Sequence, residues 1–361
     1  MDTDPFLQAD GETLKNRLGI EADPEALKHA ERELSSDRLV TLHEAVSGNF
    51  DADHLRDIHR HLFQDVYEWA GTMRSDQIAL EGEQVNVPAA VPEMSKGSTT
   101  FMPSAYVERG LAEVERLSNS DAARSSDPAE FSDAAGEVLS ALNHVHPFRE
   151  GNGRTQRAFI EQLAERAGHN LDFEGITGER MIEASVEASG GNDDPLKRII
   201  AESLDPARVD LRQSAIRALE QTGVDANEFW VETPAPGDQV QGTLLNRHDD
   251  HLSIVTEENR FLALPPSALP DAAKPGHDVD FHYHGAEHGP SRDPASALDS
   301  LQDTARQTWA DIQAIDPGPE RVQLEREFAD MLRSLPAELR AEIVPERTAR
   351  HDRSRDDDLE L

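Results

Sequence analysis

The sequence predicts a mainly α-helical protein that carries a short β-hairpin and is followed by a small β-module and a helical, charged C-terminal region. Three observations predict it. Apolar residues recur at three-to-four spacing up to about residue 221, caps and glycine stops punctuate them, and short strand-like runs replace them after Pro234-Ala235-Pro236-Gly237.

A chain of 361 residues has room for two or three domains, and 37% hydrophobic residues suffice for at least one sizeable core. No apolar run is long enough to cross a bilayer. The acidic start at Asp2 and Asp4 lacks the basic-then-apolar order of a secretory signal, so a cytoplasmic protein without a membrane partner is expected. Cysteine is absent, which removes disulfides and thiolate metal sites. The formal charge is −36, and the only lysines are Lys15, Lys28, Lys96, Lys197 and Lys274. The acids are spread along the whole chain, the pattern of a salt-adapted surface rather than of one acidic face. Direct binding to duplex DNA is not expected, because it needs clustered Lys and Arg.

Residues 25–49 read as helix, and 51–69 continue in helix with Leu55, Ile58, Leu62 and Val66 on one stripe. Gly71 and the β-tolerant segment 77–87, with Glu81-Gly82-Glu83 as its turn, predict a hairpin. Asp127-Pro128-Ala129-Glu130 supplies an N-cap, a proline at the first helical position and an acid three residues after the cap. Phe131, Ala135, Val138, Leu142 and Val145 then form an apolar stripe that runs into His146, and a second helix with Phe159, Leu163 and Ala167 stops at Gly168. Further helices are expected at 179–189, 195–203 and 209–221. Strands at 241–245, 252–255, 260–264 and 279–284 complete the pattern. The expected division is a helical catalytic domain at 15–205, a helical linker at 206–235, a β-domain at 236–288, a helical region at 289–347 and a charged, disordered tail at 348–361.

Between the two central helices lies His146-Pro147-Phe148-Arg149-Glu150-Gly151-Asn152-Gly153-Arg154-Thr155-Gln156-Arg157. An imidazole at the end of a buried helix, with Pro147 stopping that helix, can act as general base near its ordinary pKa. Phe148 suits an anchor beneath the loop. Gly151 and Gly153 let the backbone approach a ligand, and the helix starting at Asn152 or Gly153 offers unpaired N–H groups to an anion. Glu150 suits a hard cation such as Mg²⁺ shared with phosphate oxygens, and Arg154 and Arg157 share a helical face from which they can grip phosphates.

This string resembles the full signature of the Fic family, His-x-Phe-x-(Asp/Glu)-Gly-Asn-Gly-Arg-x-x-Arg, and 67–74 resemble that family's Tyr-x-Trp-Ala-Gly-x-x-Arg segment. The resemblance implies protein AMPylation: transfer of AMP from ATP to a Ser, Thr or Tyr hydroxyl of a target protein, with release of pyrophosphate. It implies that His146 is the base, that Glu150 holds Mg²⁺ at the α and β phosphates, and that Gly151, Asn152 and Gly153 form the anion hole. Arg154 would support the β-phosphate and Arg157 the γ-phosphate. The hairpin, with Gln77, Ile78, Ala79, Leu80, Glu81 and Gly82, would be the flap that positions the target. Relatives that phosphorylate carry lysine where Gly153 stands, which favours AMP transfer. Transfer of UMP or phosphocholine, and a non-catalytic nucleotide-binding adaptor, stay open. The β-module resembles the OB-like module that follows the Fic domain in some type IV secretion effectors, so a toxin or effector role is implied and export is left open.

Many family members restrain themselves with a (Ser/Thr)-x-x-x-Glu-(Gly/Asn) helix. In this sequence Glu81-Gly82, Glu150-Gly151, Glu174-Gly175 and Glu258-Asn259 all lack Ser or Thr four residues before the glutamate. The expected restraint is therefore a separate small antitoxin whose glutamate pairs with Arg157.

Overall fold

The computed structural model describes residues 4–80, 82–97 and 99–285. The expected helices at 289–347, the tail at 348–361 and the last residues of the β-domain lie outside the described residues. The helical part begins with α1 (Pro24–Val40), capped by the Asp23 side chain, a short α2 (Leu42–Ala45) and α3 (Ala52–Phe63), capped by Asp51. The helix expected over 25–49 is broken at Thr41 and ends in extended backbone at Val46. Helix α3 stops six residues before the expected end. The chain there folds into turns that stack Tyr67 on Trp69 and bury both, and Gly71 takes a left-handed φ of 85°.

The expected hairpin is present as β1 (Gln77–Leu80) and β2 (Glu83–Asn86), paired Leu80 to Glu83. Glu81 lies outside the described residues. No element is expected over 88–126, where the structure places α4 (Val87–Ala90), a second hairpin of β3 (Ser95–Lys96) and β4 (Thr99–Thr100), and α5 (Val107–Ser118). The buried spacing of Val107, Leu111 and Val114 was the available helical signal.

Helix α6 (Pro128–Val145) is central, with α5, α7 (Asn152–Ala167) and α9 (Asp194–Ser203) packed against it; α8 is Gly178–Ser189. Its predicted cap is realised, since the Asp127 carboxylate accepts from the N–H groups of Ala129 and Glu130 at 2.8 and 3.3 Å. Every predicted stripe residue, Phe131 through Val145, is buried. One hydrophobic core runs from Phe6 to Ile200, so packing begins upstream of residue 15.

Helix α10 (Pro206–Gln221) leads to β5 (Val231–Glu232), β6 (Gln239–Arg247), β7 (Leu252–Val255), β8 (Phe261–Leu264) and β9 (Asp278–His282). These form one five-stranded sheet ordered β5-β8-β7-β6-β9, antiparallel except for the parallel β5–β8 pair. The segment 206–235, expected as a helical linker, opens with α10 and packs on the sheet. Ala215 of α10 shares a cluster with Val231 and Ala263, and a buried ion knot binds the layers together. In that knot Glu202 receives Arg180 at 2.5 Å and Arg212 at 3.0 Å, while Arg180 also donates to the Val231 carbonyl at 3.0 Å.

Candidate active site

Helix α6 ends at His146, whose backbone is left-handed (φ 46°, ψ 61°), an unusual conformation for a residue with a side chain. A buried arginine holds it there. Arg74 Nε donates to the His146 carbonyl at 2.8 Å, its Nη2 donates to the carbonyls of Val145 at 2.8 Å and Met102 at 2.9 Å, and its Nη1 donates to Ser104 Oγ at 2.9 Å. Its own N–H donates to the Pro147 carbonyl at 2.7 Å. A cation at the C-terminal end of a helix satisfies orphan carbonyls and opposes the helix dipole. Burial pushes the Arg74 pKa down to about 10, which leaves it charged at neutral pH.

The loop after His146 rests on aromatic rings. Phe148 is 1% exposed and stacks on His59 at 3.9 Å between centroids. His59 Nδ1 accepts from the Gly71 N–H at 2.8 Å, so Nε2 carries the proton and donates to the Glu150 carbonyl at 3.0 Å. Burial pushes the His59 pKa down to about 3, which fixes this neutral form. Asn152 turns its side chain back into the loop: Oδ1 accepts from the Phe148 N–H at 2.9 Å and Nδ2 donates to the Phe148 carbonyl at 2.8 Å. Its backbone N–H, at the start of α7, is the group placed for an anion. Gly151 has φ 80°, and a Cβ there would lie 2.5 Å from the Phe63 ring. Gly153 is the opposite case, because a Cβ would meet nothing within 4 Å. No side chain caps the N-terminus of α7, so its first N–H groups face an open approach.

Glu150, Arg154 and Arg157 line one cleft of about 580 Å³, together with Lys28, Arg32 and Lys96. Five cations against Glu12, Glu31 and Glu150 make it locally basic in a chain of charge −36. The two motif arginines differ. Arg154 is tied to α1 through an ion pair with Glu31 and a donated bond to Ser35 Oγ at 2.6 Å, and Tyr67 donates its hydroxyl to the same Glu31. Arg157 has no hydrogen bond or ion pair among the described residues. Burial lowers its pKa, and the nearby Glu161 partly restores it; burial raises Glu161 itself to about 7. Glu150 is exposed and uses Oε1 to accept from the Gly151 N–H at 3.0 Å. None of Gln77, Ile78, Ala79, Leu80 or Gly82 lines the cleft; Leu80 lines a separate recess with Lys15 and Trp69.

His146 is half-buried at the end of α6, with its ring stacked on Phe101 at 3.7 Å and 9°. The expectation of an ordinary pKa is corrected. Burial first, then the charges of Arg74 and Lys96, push it down to about 3, with the Asn143 carbonyl acting weakly the other way. The imidazole is therefore neutral at neutral pH and can accept a proton. Its Nδ1 is buried, which leaves Nε2 to meet a substrate. An anion arriving beside Lys96 and Arg74 would raise its basicity.

A model of the Fic/DOC family matches residues 49–164. A probable protein adenylyltransferase of Sinorhizobium fredii, y4lH, is 33% identical over 196 residues, which cover 54% of this chain and 92% of that protein. The chain belongs to the Fic/DOC family. A protein adenylyltransferase of Bartonella henselae is 30% identical over 283 residues, 76% of this chain and 51% of the relative, so the chain spans about half that relative's length. The type IV secretion system effector protein BepA shares the fold with a TM-score of 0.68 at 29% identity, covering 78% of this chain and 97% of BepA. BepC of Bartonella tribocorum, solved with bound AMPPNP, has a TM-score of 0.52 at 34% identity, covering 56% of this chain and 96% of BepC.

In this Fic chain, sequence reasoning missed His59, Glu31 and Phe101. His59 and Phe101 had no readable signal, because each acts through a partner distant in sequence. Arg74 was visible only as one letter of the 67–74 segment. Lys96 could have been noticed as one of five lysines in an acidic chain.

Proposed function

We propose that this chain transfers AMP from ATP to a hydroxyl of a target protein. The observation that carries this reading is the uncapped N-terminus of α7, open at Gly153 and followed by the unpaired Arg157, directly after the loop that begins at His146. Such a nest suits a phosphate chain next to a base. The names of the relatives and the AMPPNP bound to BepC support the donor.

In this reading His146 Nε2 takes the proton from the target hydroxyl as its oxygen attacks the α-phosphorus in line. The new O–P bond forms as the bond from the α-phosphorus to the bridging oxygen breaks, and pyrophosphate leaves. The N–H groups at Asn152 and Gly153 stabilise the phosphate charge, and Arg157 meets the γ-phosphate. Glu150 suits Mg²⁺, because its second oxygen has no partner among the described residues and a hard cation takes its other ligands from phosphate and water. When bound, the ion would neutralise phosphate charge. The catalytic unit is read as 15–205 with the β1–β2 hairpin as target-docking flap, and 236–288 as an OB-like module. The work is read as that of a toxin or effector, in the producing cytoplasm or a recipient's. The unpaired Arg157 supports restraint by a separate antitoxin glutamate. Among the described residues no helix is long and apolar enough to cross a membrane.

The test is to supply lysate and Mg²⁺ with ATP labelled at the α or the γ phosphate, using wild type and His146→Ala. Label on protein from the α position alone, lost in His146→Ala, is expected; γ label would mean phosphorylation and overturn AMP transfer.

A further inference from the structure

A second hairpin, β3–β4, sits against the base and has no assigned role. Its register pairs Ser95 with Thr100 and Lys96 with Thr99, and the Phe101 N–H closes it by donating to the Met94 carbonyl at 2.9 Å. The residue after β4 is Phe101, whose buried ring lies flat on the His146 imidazole. The hairpin is thus docked on the base through Phe101, and the pairing fixes where Lys96 stands relative to that contact. Lys96 is exposed, lines the cleft with Glu150, Arg154 and Arg157, and has no hydrogen bond or ion pair among the described residues.

A solitary ammonium in a chain with 71 carboxylic acids is surrounded by possible partners, yet this one shares its cleft with Lys28, Arg32, Arg154 and Arg157 and pairs with none of the glutamates there. Arg154, by contrast, is engaged by Glu31 and Ser35. The cleft therefore presents Arg157 and Lys96 as unpaired charges, Arg157 on α7 and Lys96 on the hairpin docked against His146.

We propose that Lys96 is a phosphate-contacting residue of this cleft, delivered by the β3–β4 hairpin to the part of a nucleoside polyphosphate that faces His146. The proposal rests on the nucleotide reading above and adds a ligand that the motif does not contain. Its charge is also felt at the base, whose proton affinity it lowers in the absence of phosphate. A point charge on a flexible stem suits a phosphate that changes geometry during transfer.

The experiment titrates AMPPNP with Mg²⁺, and separately tripolyphosphate alone, into full-length wild type, Lys96→Gln, Lys96→Arg and Lys274→Gln. Lys274 is an exposed lysine of the β-module, so its variant makes the same change in net charge. Lys96→Gln should bind both probes about tenfold more weakly, with a shallower salt dependence and an unchanged thermal midpoint. Lys96→Arg should stay within about threefold of wild type, and Lys274→Gln should match it. Equal binding by wild type and Lys96→Gln overturns the proposal and leaves the nucleotide reading intact. An equal loss in Lys274→Gln also overturns it, because a general field effect would then suffice. Failure of wild type itself to bind AMPPNP overturns both readings.

Discussion

Two arginine-rich regions of this molecule use charge in opposite ways. Around Glu202 the guanidinium groups are paired: Arg180, Glu202 and Arg212 are at most 1% exposed, Arg208 approaches to 3.8 Å, and further donors reach the carbonyls of Val231, Asp172 and Glu174, with Arg180 Nε the buried donor left over. Burial alone would raise the Glu202 carboxyl, but the arginines hold it below its usual range. In the cleft beside α7, Arg157 and Lys96 have no such partner. Paired buried charge defines architecture, whereas unpaired charge near a base awaits a ligand.

The largest effect is expected from Glu202→Ala, which strands two buried guanidinium groups and should remove about 3–5 kcal/mol of stability in denaturant titrations. AMPPNP affinity per folded molecule should be unchanged. Gly151→Ala should follow at about 2 kcal/mol, because the left-handed backbone and the Phe63 ring both resist a Cβ. Gly153→Ala, with open space around it, should leave the thermal midpoint nearly unmoved and weaken nucleotide binding instead. Arg157→Gln should likewise spare stability but weaken AMPPNP binding about tenfold, or about 1.4 kcal/mol. If its thermal midpoint fell as far as that of Glu202→Ala, Arg157 would belong to the architecture.

The smallest effect concerns acid. The folded pKa of His59 is about 3, below its ordinary 6.5, so its contribution to stability is fully present above pH 6.5 and is lost as pH falls toward 3. Glu161, raised to about 7, works in the other sense, and the comparison is therefore between variants. His59→Gln should lose less stability than wild type between pH 6.5 and 5 in thermal scans. Parallel slopes would contradict the neutral, hydrogen-bonded assignment.

The helical core was legible because its signals are local. Asp127 and Pro128 start α6, Gly168 stops α7, and the stripe from Phe131 to Val145 faces inward as its spacing requires. The twelve-residue motif was legible as a string but not as a device. Nothing in Asn152 announces that its side chain brackets Phe148, and nothing in Arg154 announces that Glu31, 123 residues away, holds it. The break at Thr41 and the early end of α3 were hidden for a related reason. Apolar periodicity persists through turns when tertiary packing buries Val66, Tyr67 and Trp69.

Whether a phosphate chain lies beside the base is read by titrating the His146 imidazole with heteronuclear NMR, with and without AMPPNP and Mg²⁺. Without nucleotide the ring should stay neutral down to about pH 3. With AMPPNP its pKa should rise toward the ordinary range, because added negative charge favours the imidazolium. A His146 pKa unmoved by saturating AMPPNP would contradict the account.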